Sequence, residues 1–284
     1  MAASPVLLFA HGAGFCKEIW APIVHHLQQL VPRQHEAALE FVSVDLSFHG
    51  SYRDNSVVAQ VDDNGPHVTH PANNTIVLAS VALLHKARQF RGAGRPVIGI
   101  GHSMGAAALW KGEISSPGTF DALVFFEPIY GPPTPMGPNR PYIFMADITL
   151  KRKWKCCFSS WDRESLACWM QGAIVPDETD ADAVVLACHP TVEASIYCGG
   201  RLWLSEEEQA KTKCPTTFHS GSTTKMYRQE IFEDIASCHP EIFKTHAPMV
   251  GRSHLMVLED PEGCAKAIVA DLETLGCFNA AAKL

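Results

Sequence analysis

The pentapeptide Gly101-His102-Ser103-Met104-Gly105 restricts what this chain can fold into more than any other stretch. It matches the G-x-S-x-G pattern, in which a serine sits at the apex of a sharp strand-to-helix turn. Both flanks agree with that setting. Pro96-Val97-Ile98-Gly99-Ile100 reads as a short buried strand, and Ala106-Ala107-Ala108-Leu109-Trp110 as the opening of a helix. In so tight a turn a side chain at either flank would collide with the neighbouring strand or helix, which calls for glycine. The Ser103 hydroxyl is therefore expected above the edge of a sheet. The backbone N–H of Met104, at the helix N-terminus, points to where an oxyanion would develop. Ser103 is the candidate nucleophile.

Other short β-branched runs repeat along the chain with helical patterns between them. The candidate strands are Val6–Ala10, Phe41–Asp45, Val97–Gly101, Ala122–Phe126, Thr216–His219 and Thr245–Val250. Trp20–Leu30 and Asn74–Arg91 carry apolar residues at three- and four-residue spacing. Asp260-Pro261-Glu262 opens a helix through Cys264–Leu275, proline and acids suiting its first turn. This alternation predicts an α/β fold, a mostly parallel sheet with helices on both faces. The rhythm breaks between residues 131 and 213. A proline-rich start, Gly131-Pro132-Pro133-Thr134-Pro135-Met136-Gly137-Pro138, leads into helical patterns holding Trp154, Trp161, Trp169 and Trp203. Residues 1–130 and 214–284 are expected to form the core, and 131–213 a helical lid over the active-site end of the sheet.

Composition narrows the function classes. A net charge of −7 with no basic stripe argues against binding to nucleic acid or an anionic membrane. Lys151, Arg152, Lys153 and Lys155 form the one basic cluster. No apolar run reaches membrane-spanning length. The ten cysteines include no C-x-x-C pair, Cys156 and Cys157 are adjacent, and no secretory signal precedes them. Reduced thiols in an intracellular compartment are expected. Ala282-Lys283-Leu284 is a close variant of the Ser-Lys-Leu address, which predicts a peroxisomal import receptor as partner.

A serine nucleophile needs a base, and the base needs an orienting acid. For this turn the chain order is serine, acid, histidine. Of the 14 histidines, His254 lies in a loop after the last candidate strand and before the final helix, within reach of Ser103. His246, inside the apolar run, reads as a packed residue. The turn after Thr216–His219, where the acid is usual, reads Ser220-Gly221-Ser222-Thr223-Thr224 and holds no carboxylate. Glu127 follows the preceding strand, and Pro128 ends that strand and directs it outward. Glu127 is the candidate acid, a weak or absent acid being the alternative. The second oxyanion donor is expected from His11-Gly12-Ala13-Gly14, with the N–H of Ala13 first and that of Gly14 second. Gly12, Gly14 and His102 are assigned to the substrate surface. Asp45 reads as a brace between loops.

Together these landmarks resemble the lid-bearing α/β-hydrolase superfamily: His11-Gly12-Ala13-Gly14, Asp45…His49-Gly50, Gly101-His102-Ser103-Met104-Gly105 and His254…Glu259-Asp260-Pro261-Glu262. A narrower likeness is to fungal toxin- and polyketide-pathway hydrolases, through His11-Gly12-Ala13-Gly14-Phe15-Cys16-Lys17-Glu18-Ile19-Trp20, and through Lys151-Arg152-Lys153 with Phe158-Ser159-Ser160. That group often ends in a peroxisomal tripeptide and places its acid, an aspartate, where Glu127 stands. The resemblance implies a serine hydrolase for an acyl ester or acyl-CoA thioester, with no metal or organic cofactor. It also implies that the superfamily's first two strands are missing, leaving an open edge. Two other readings stay open: a lyase or transferase using the same serine and histidine, and a non-catalytic ligand-binding homologue.

Overall fold

The computed structural model describes residues 4–31, 39–63, 65–132, 140–151 and 157–276. The proline-rich stretch beyond Pro132, Arg152, Lys153, Trp154, Lys155, Cys156 and the tripeptide Ala282-Lys283-Leu284 lie outside these residues. Six strands form the main sheet: β1 (Val6–Ala10), β2 (Glu40–Val44), β3 (Val97–His102), β4 (Ala122–Phe126), β5 (Thr216–His219) and β6 (Phe243–Thr245). Their order is β6-β5-β4-β3-β1-β2, and every pairing is parallel. Among the described residues β2 is one edge of this sheet.

The helices that flank the sheet are α1 (Ala21–Leu30), α2 (Thr75–Gly92), α3 (Met104–Ser115), α7 (Gln229–Cys238) and α8 (Pro261–Leu272). Alternation along the strands decides which side each residue serves. Leu7, Phe9, Ile98, Ile100, Val124 and Phe126 pack with residues of α1 and α8. Leu8, Ala10, Leu123, Phe125 and Phe218 pack with those of α2 and α3 on the other face. Each fully buried Leu, Ile or Phe contributes about 1.5–3 kcal/mol of transfer free energy, so the register is firmly held. Between β4 and β5 the chain forms α4 (Arg140–Leu150), α5 (Arg163–Ala173), a hairpin of Ile174–Pro176 with Val184–Leu186, and α6 (Pro190–Cys198).

The last strand departs from the sequence reading. β6 ends at Thr245, and Val250, expected within it, is 89% exposed. Pro248 explains the difference: it lacks an N–H for the ladder and restricts Ala247 before it. His246 consequently sits just past the strand, a quarter exposed, instead of packed inside it.

His246 belongs to a cluster on the helix side. Asp271 of α8 accepts hydrogen bonds from His219 Nε2 and Thr217 Oγ1, both at 2.7 Å, and His246 Nε2 lies 2.9 Å away. Burial pushes the Asp271 carboxyl up, but these partners outweigh it and hold it well below the usual carboxylate range. Burial also lowers His219, only partly offset by Asp271. Both folded-state values lie below the unfolded ones, so the unfolded chain takes up more protons on acidification. Stability is therefore expected to be full above about pH 6.5 and to fall through the histidine range, then again through the carboxylate range. Asp271→Asn should cost about 3 kcal/mol at neutral pH and flatten the acid limb, read from urea midpoints across pH. An unaltered pH slope would remove this cluster from the account.

Candidate active site

Strand register sets the site. Ala10 pairs with Gly101, His102 with Phe126, and Phe126 with His219, so the carboxyl ends of β1, β3, β4 and β5 share one rim. The residues just past those ends are His11, Ser103, Glu127 and Ser220. Ser103 has φ 53° and ψ −115°, and Glu127 has φ 44°. Positive φ strains a side-chain-bearing residue, and two of the three such non-glycine residues among the described residues lie here. The turn around Ser103 needs its glycines: a Cβ on Gly105 would overlap the Ala10 carbonyl oxygen, and one on Gly101 would lie 2.5 Å from Ala106 Cα.

Three residues from separate loops meet on this rim. The Ser103 hydroxyl lies 3.0 Å from His254 Nε2, and His254 Nδ1 lies 2.6 Å from Glu127 Oε2. The network assigns the ring a proton on Nδ1, donated to Glu127, and leaves Nε2 to accept from Ser103. Glu127 is buried, and its other contacts come from the turn that lacks a carboxylate of its own. Gly221 N–H donates to Oε1 and Thr224 Oγ1 to Oε2, each at 2.8 Å. The carboxylate beside His254 thus comes from one strand earlier, and the turn that holds none supplies its donors. The His254 loop is tied down by the same segment, with Thr223 N–H donating to the Arg252 carbonyl at 3.0 Å and Gly251 N–H to Ser222 Oγ at 2.8 Å.

Neutral, buried histidines organise the surrounding backbone. His11 Nδ1 donates to the Gly12 carbonyl at 2.7 Å, while its Nε2 accepts from Leu46 N–H. His49 Nδ1 donates to the Ser47 carbonyl, and its Nε2 accepts from Gly14 N–H at 3.1 Å. Burial lowers both rings, that of His49 to about 3, so each keeps one donor and one acceptor at neutral pH. The Gly14 N–H is therefore spent. The N–H groups of Ala13 and Met104 have no acceptor among the described residues, and both residues face the cavity above Ser103. Asp45 braces this loop as its position suggests: it takes bonds from Lys17 N–H and Nζ and from Ser51 N–H and Oγ. Burial raises its carboxyl, but those donors bring it down to about 2.

His102 does not belong to the substrate surface. Its ring is fully buried and its Nε2 donates to the His254 carbonyl at 2.8 Å, so it props the histidine loop from beneath. Burial, and then His254, keep it well below the ordinary histidine value. Gly12 is also buried, a Cβ there would lie 2.8 Å from His102 Nδ1, and of the three Gly14 lines a cavity. The bracing roles of His11, His49 and His102 were missed from the sequence, although each histidine neighbours a strand-end glycine motif.

The cavity over Ser103 measures about 210 Å³ and is walled by Phe15, Ile76, Ile129, Met145, Ile196 and Leu255. Among the described residues one cluster has metal-ligand composition, His219, His246 and Asp271. Its imidazoles stack 4.4 Å apart with planes 8° from parallel, and both Nε2 atoms are turned on the Asp271 carboxylate.

The sequence profile described as the alpha/beta hydrolase family matches residues 7–267. This chain belongs to the alpha/beta hydrolase family. No curated protein sequence matches it significantly. Solved structures give the fold independently. The peroxisomal alpha-beta-hydrolase Lpx1 from Saccharomyces cerevisiae superposes with a TM-score of 0.68 at 15% identity, covering 96% of this chain and 78% of that one. A thioesterase domain from the curacin biosynthetic pathway gives 0.60 at 16%, covering 95% and 92%. A thermophilic esterase from Thermogutta terrifontis gives 0.61 at 15%, covering 96% and 91%. The chain is an α/β hydrolase by family and by architecture. No helix among the described residues is long and apolar enough to cross a membrane.

Proposed function

We propose that this α/β hydrolase is a serine hydrolase that cleaves an acyl ester or acyl thioester through an acyl-enzyme intermediate. The observation that carries the reading is the continuous chain Ser103–His254–Glu127, at 3.0 and 2.6 Å. Ser103 Oγ attacks the acyl carbonyl as His254 Nε2 takes its proton. The tetrahedral oxyanion is met by the N–H groups of Met104 and Ala13, which no acceptor among the described residues occupies. His254 then gives the proton to the leaving alcohol or thiol, and the C–O or C–S bond breaks. Water enters by the reverse of the first step, His254 acting as base again, and releases the acid. Glu127 holds the ring in the tautomer that makes this possible and stabilises the imidazolium as it forms.

The segment between β4 and β5 acts as a lid in this reading, since Met145 and Ile196 roof the cavity above the serine. The apolar roof suits an acyl group and keeps water from the carbonyl. A peroxisomal address at Ala282-Lys283-Leu284 is part of the same proposal, and the peroxisomal neighbour Lpx1 agrees with it. The test is a panel of nitrophenyl esters and acyl-CoA thioesters of graded chain length, run in isotopically labelled water. Turnover with one labelled oxygen in the released acid is expected. Transfer to another acceptor, with no label in the product, would replace hydrolysis by acyl transfer.

A further inference from the structure

A second cavity, about 200 Å³, opens beside the first and shares Phe15 and Leu255 with it. Its walls are rings. Phe158 lies 5.0 Å from Trp161 and 5.5 Å from Trp169, centroid to centroid, and the two indoles stand 5.6 Å apart at 88°. Phe15 closes the corner, 5.9 Å from Trp161. Into this aromatic box faces one carboxyl group, Glu193 of α6, itself only 3% exposed. It accepts a hydrogen bond from the Tyr197 hydroxyl at 3.0 Å, and no lysine or arginine among the described residues pairs with it. Burial pushes the carboxyl up to about 7, an effect the Tyr197 bond only partly offsets. The other ionisable groups beside it, Tyr197 and Cys188, are driven up by burial and stay neutral. Glu193 therefore carries the one charge this cavity can hold.

Its place ties it to the catalytic rim. Gly14 has φ 76°, and a Cβ there would lie 2.6 Å from Glu193 Oε1. The carboxyl thus rests against the residue that follows Ala13. A purely apolar ligand would be served better by leucine at 193, because an ionisable group in an apolar cavity costs free energy without a partner. A cation answers both features: ring faces attract it through their quadrupoles, and the carboxylate supplies the counter-charge.

We propose that this cavity is a subsite for an ammonium group, quaternary or protonated, carried by the ester or thioester that Ser103 attacks. The inference rests on the serine-hydrolase reading and narrows its substrate class to cationic acyl compounds. Hydrolysis follows the steps already given; the cation is neither formed nor consumed.

The test compares butyrylthiocholine with its uncharged carbon isostere, the 3,3-dimethylbutyl thioester, using the full chain at about pH 8, where Glu193 is ionised. The cationic thioester should show a kcat/KM at least about tenfold higher, and Glu193→Gln should bring the ratio close to one. Equal or faster turnover of the neutral isostere by the unaltered protein would overturn the subsite. Tetramethylammonium titrated into Ser103→Ala, read by tryptophan fluorescence, separates this inference from the chemistry. Saturable binding that tert-butanol does not reproduce, and that Glu193→Gln weakens in the same background, supports the subsite even if neither thioester turns over. Absence of saturable binding rejects it whatever the turnover.

Discussion

Ser103→Ala is expected to abolish covalent labelling by a fluorophosphonate and to lower ester turnover by roughly 10⁴- to 10⁶-fold. The size of the effect follows from what the hydroxyl does. In the proposed mechanism it is the atom that forms the new bond, and His254 has nothing to deprotonate once it is gone. The oxyanion donors Met104 and Ala13 survive the change, so a residual rate over water of about 10³-fold is expected. The fold should persist. Ser103 holds its place through main-chain bonds, its N–H to the Phe126 carbonyl at 2.9 Å and its own carbonyl from Ala107 and Ile129 N–H. Alanine keeps all of them, so thermal midpoint and labelling should separate cleanly. Labelling that persists in Ser103→Ala would move the nucleophile elsewhere and end the acyl-enzyme account.

Glu127→Gln is expected to lower kcat by about 10⁴-fold with little change in KM, and the reason is the tautomer. Gly221 N–H donates to Oε1, so a glutamine settles with its carbonyl there and its NH₂ toward Thr224 and His254. An NH₂ facing Nδ1 forces that nitrogen to accept. The ring proton then moves to Nε2, where the lone pair for Ser103 should be. Thr224 must also turn its hydroxyl from donor to acceptor, at a cost of about 1 kcal/mol. Glu127→Asp restores the charge but leaves a gap, and should recover part of the lost rate. Steady-state kcat and KM measured side by side for Glu127→Gln and Glu127→Asp check the argument. A rate unaltered by Glu127→Gln would assign the orienting role to another group.

Much of this site was readable before any coordinates. Ser103 follows from local sterics, because strand, glycine-flanked turn and helix fit together in few ways. His254 and Glu127 follow from chain order and from their positions past strand ends. The register of β3, β4 and β5 then places those ends on one rim. Asp45 as a brace follows in the same manner. The run from Thr245 to Val250 misled because its apolar residues outweighed Pro248 in the reading, while in the protein the missing amide ends the ladder.

What the sequence by itself determined was set by short-range physics: alternation of side chains along strands, glycine where backbones touch, and the order of serine, acid and base. Tertiary structure alone decided which donors serve which acceptors. Gly14 stood second to Ala13 as an oxyanion donor on sequence alone, and only the fold showed that His49, from a distant loop, occupies the Gly14 N–H. The empty turn at Gly221–Thr224 gained its purpose only when it closed on Glu127. His102 turned inward to meet the His254 carbonyl. Glu193 met the aromatic box only when α6 packed against the loop at Gly14. Such contacts join segments far apart in the chain, and their pairing depends on how whole elements pack, which no local window of residues encodes.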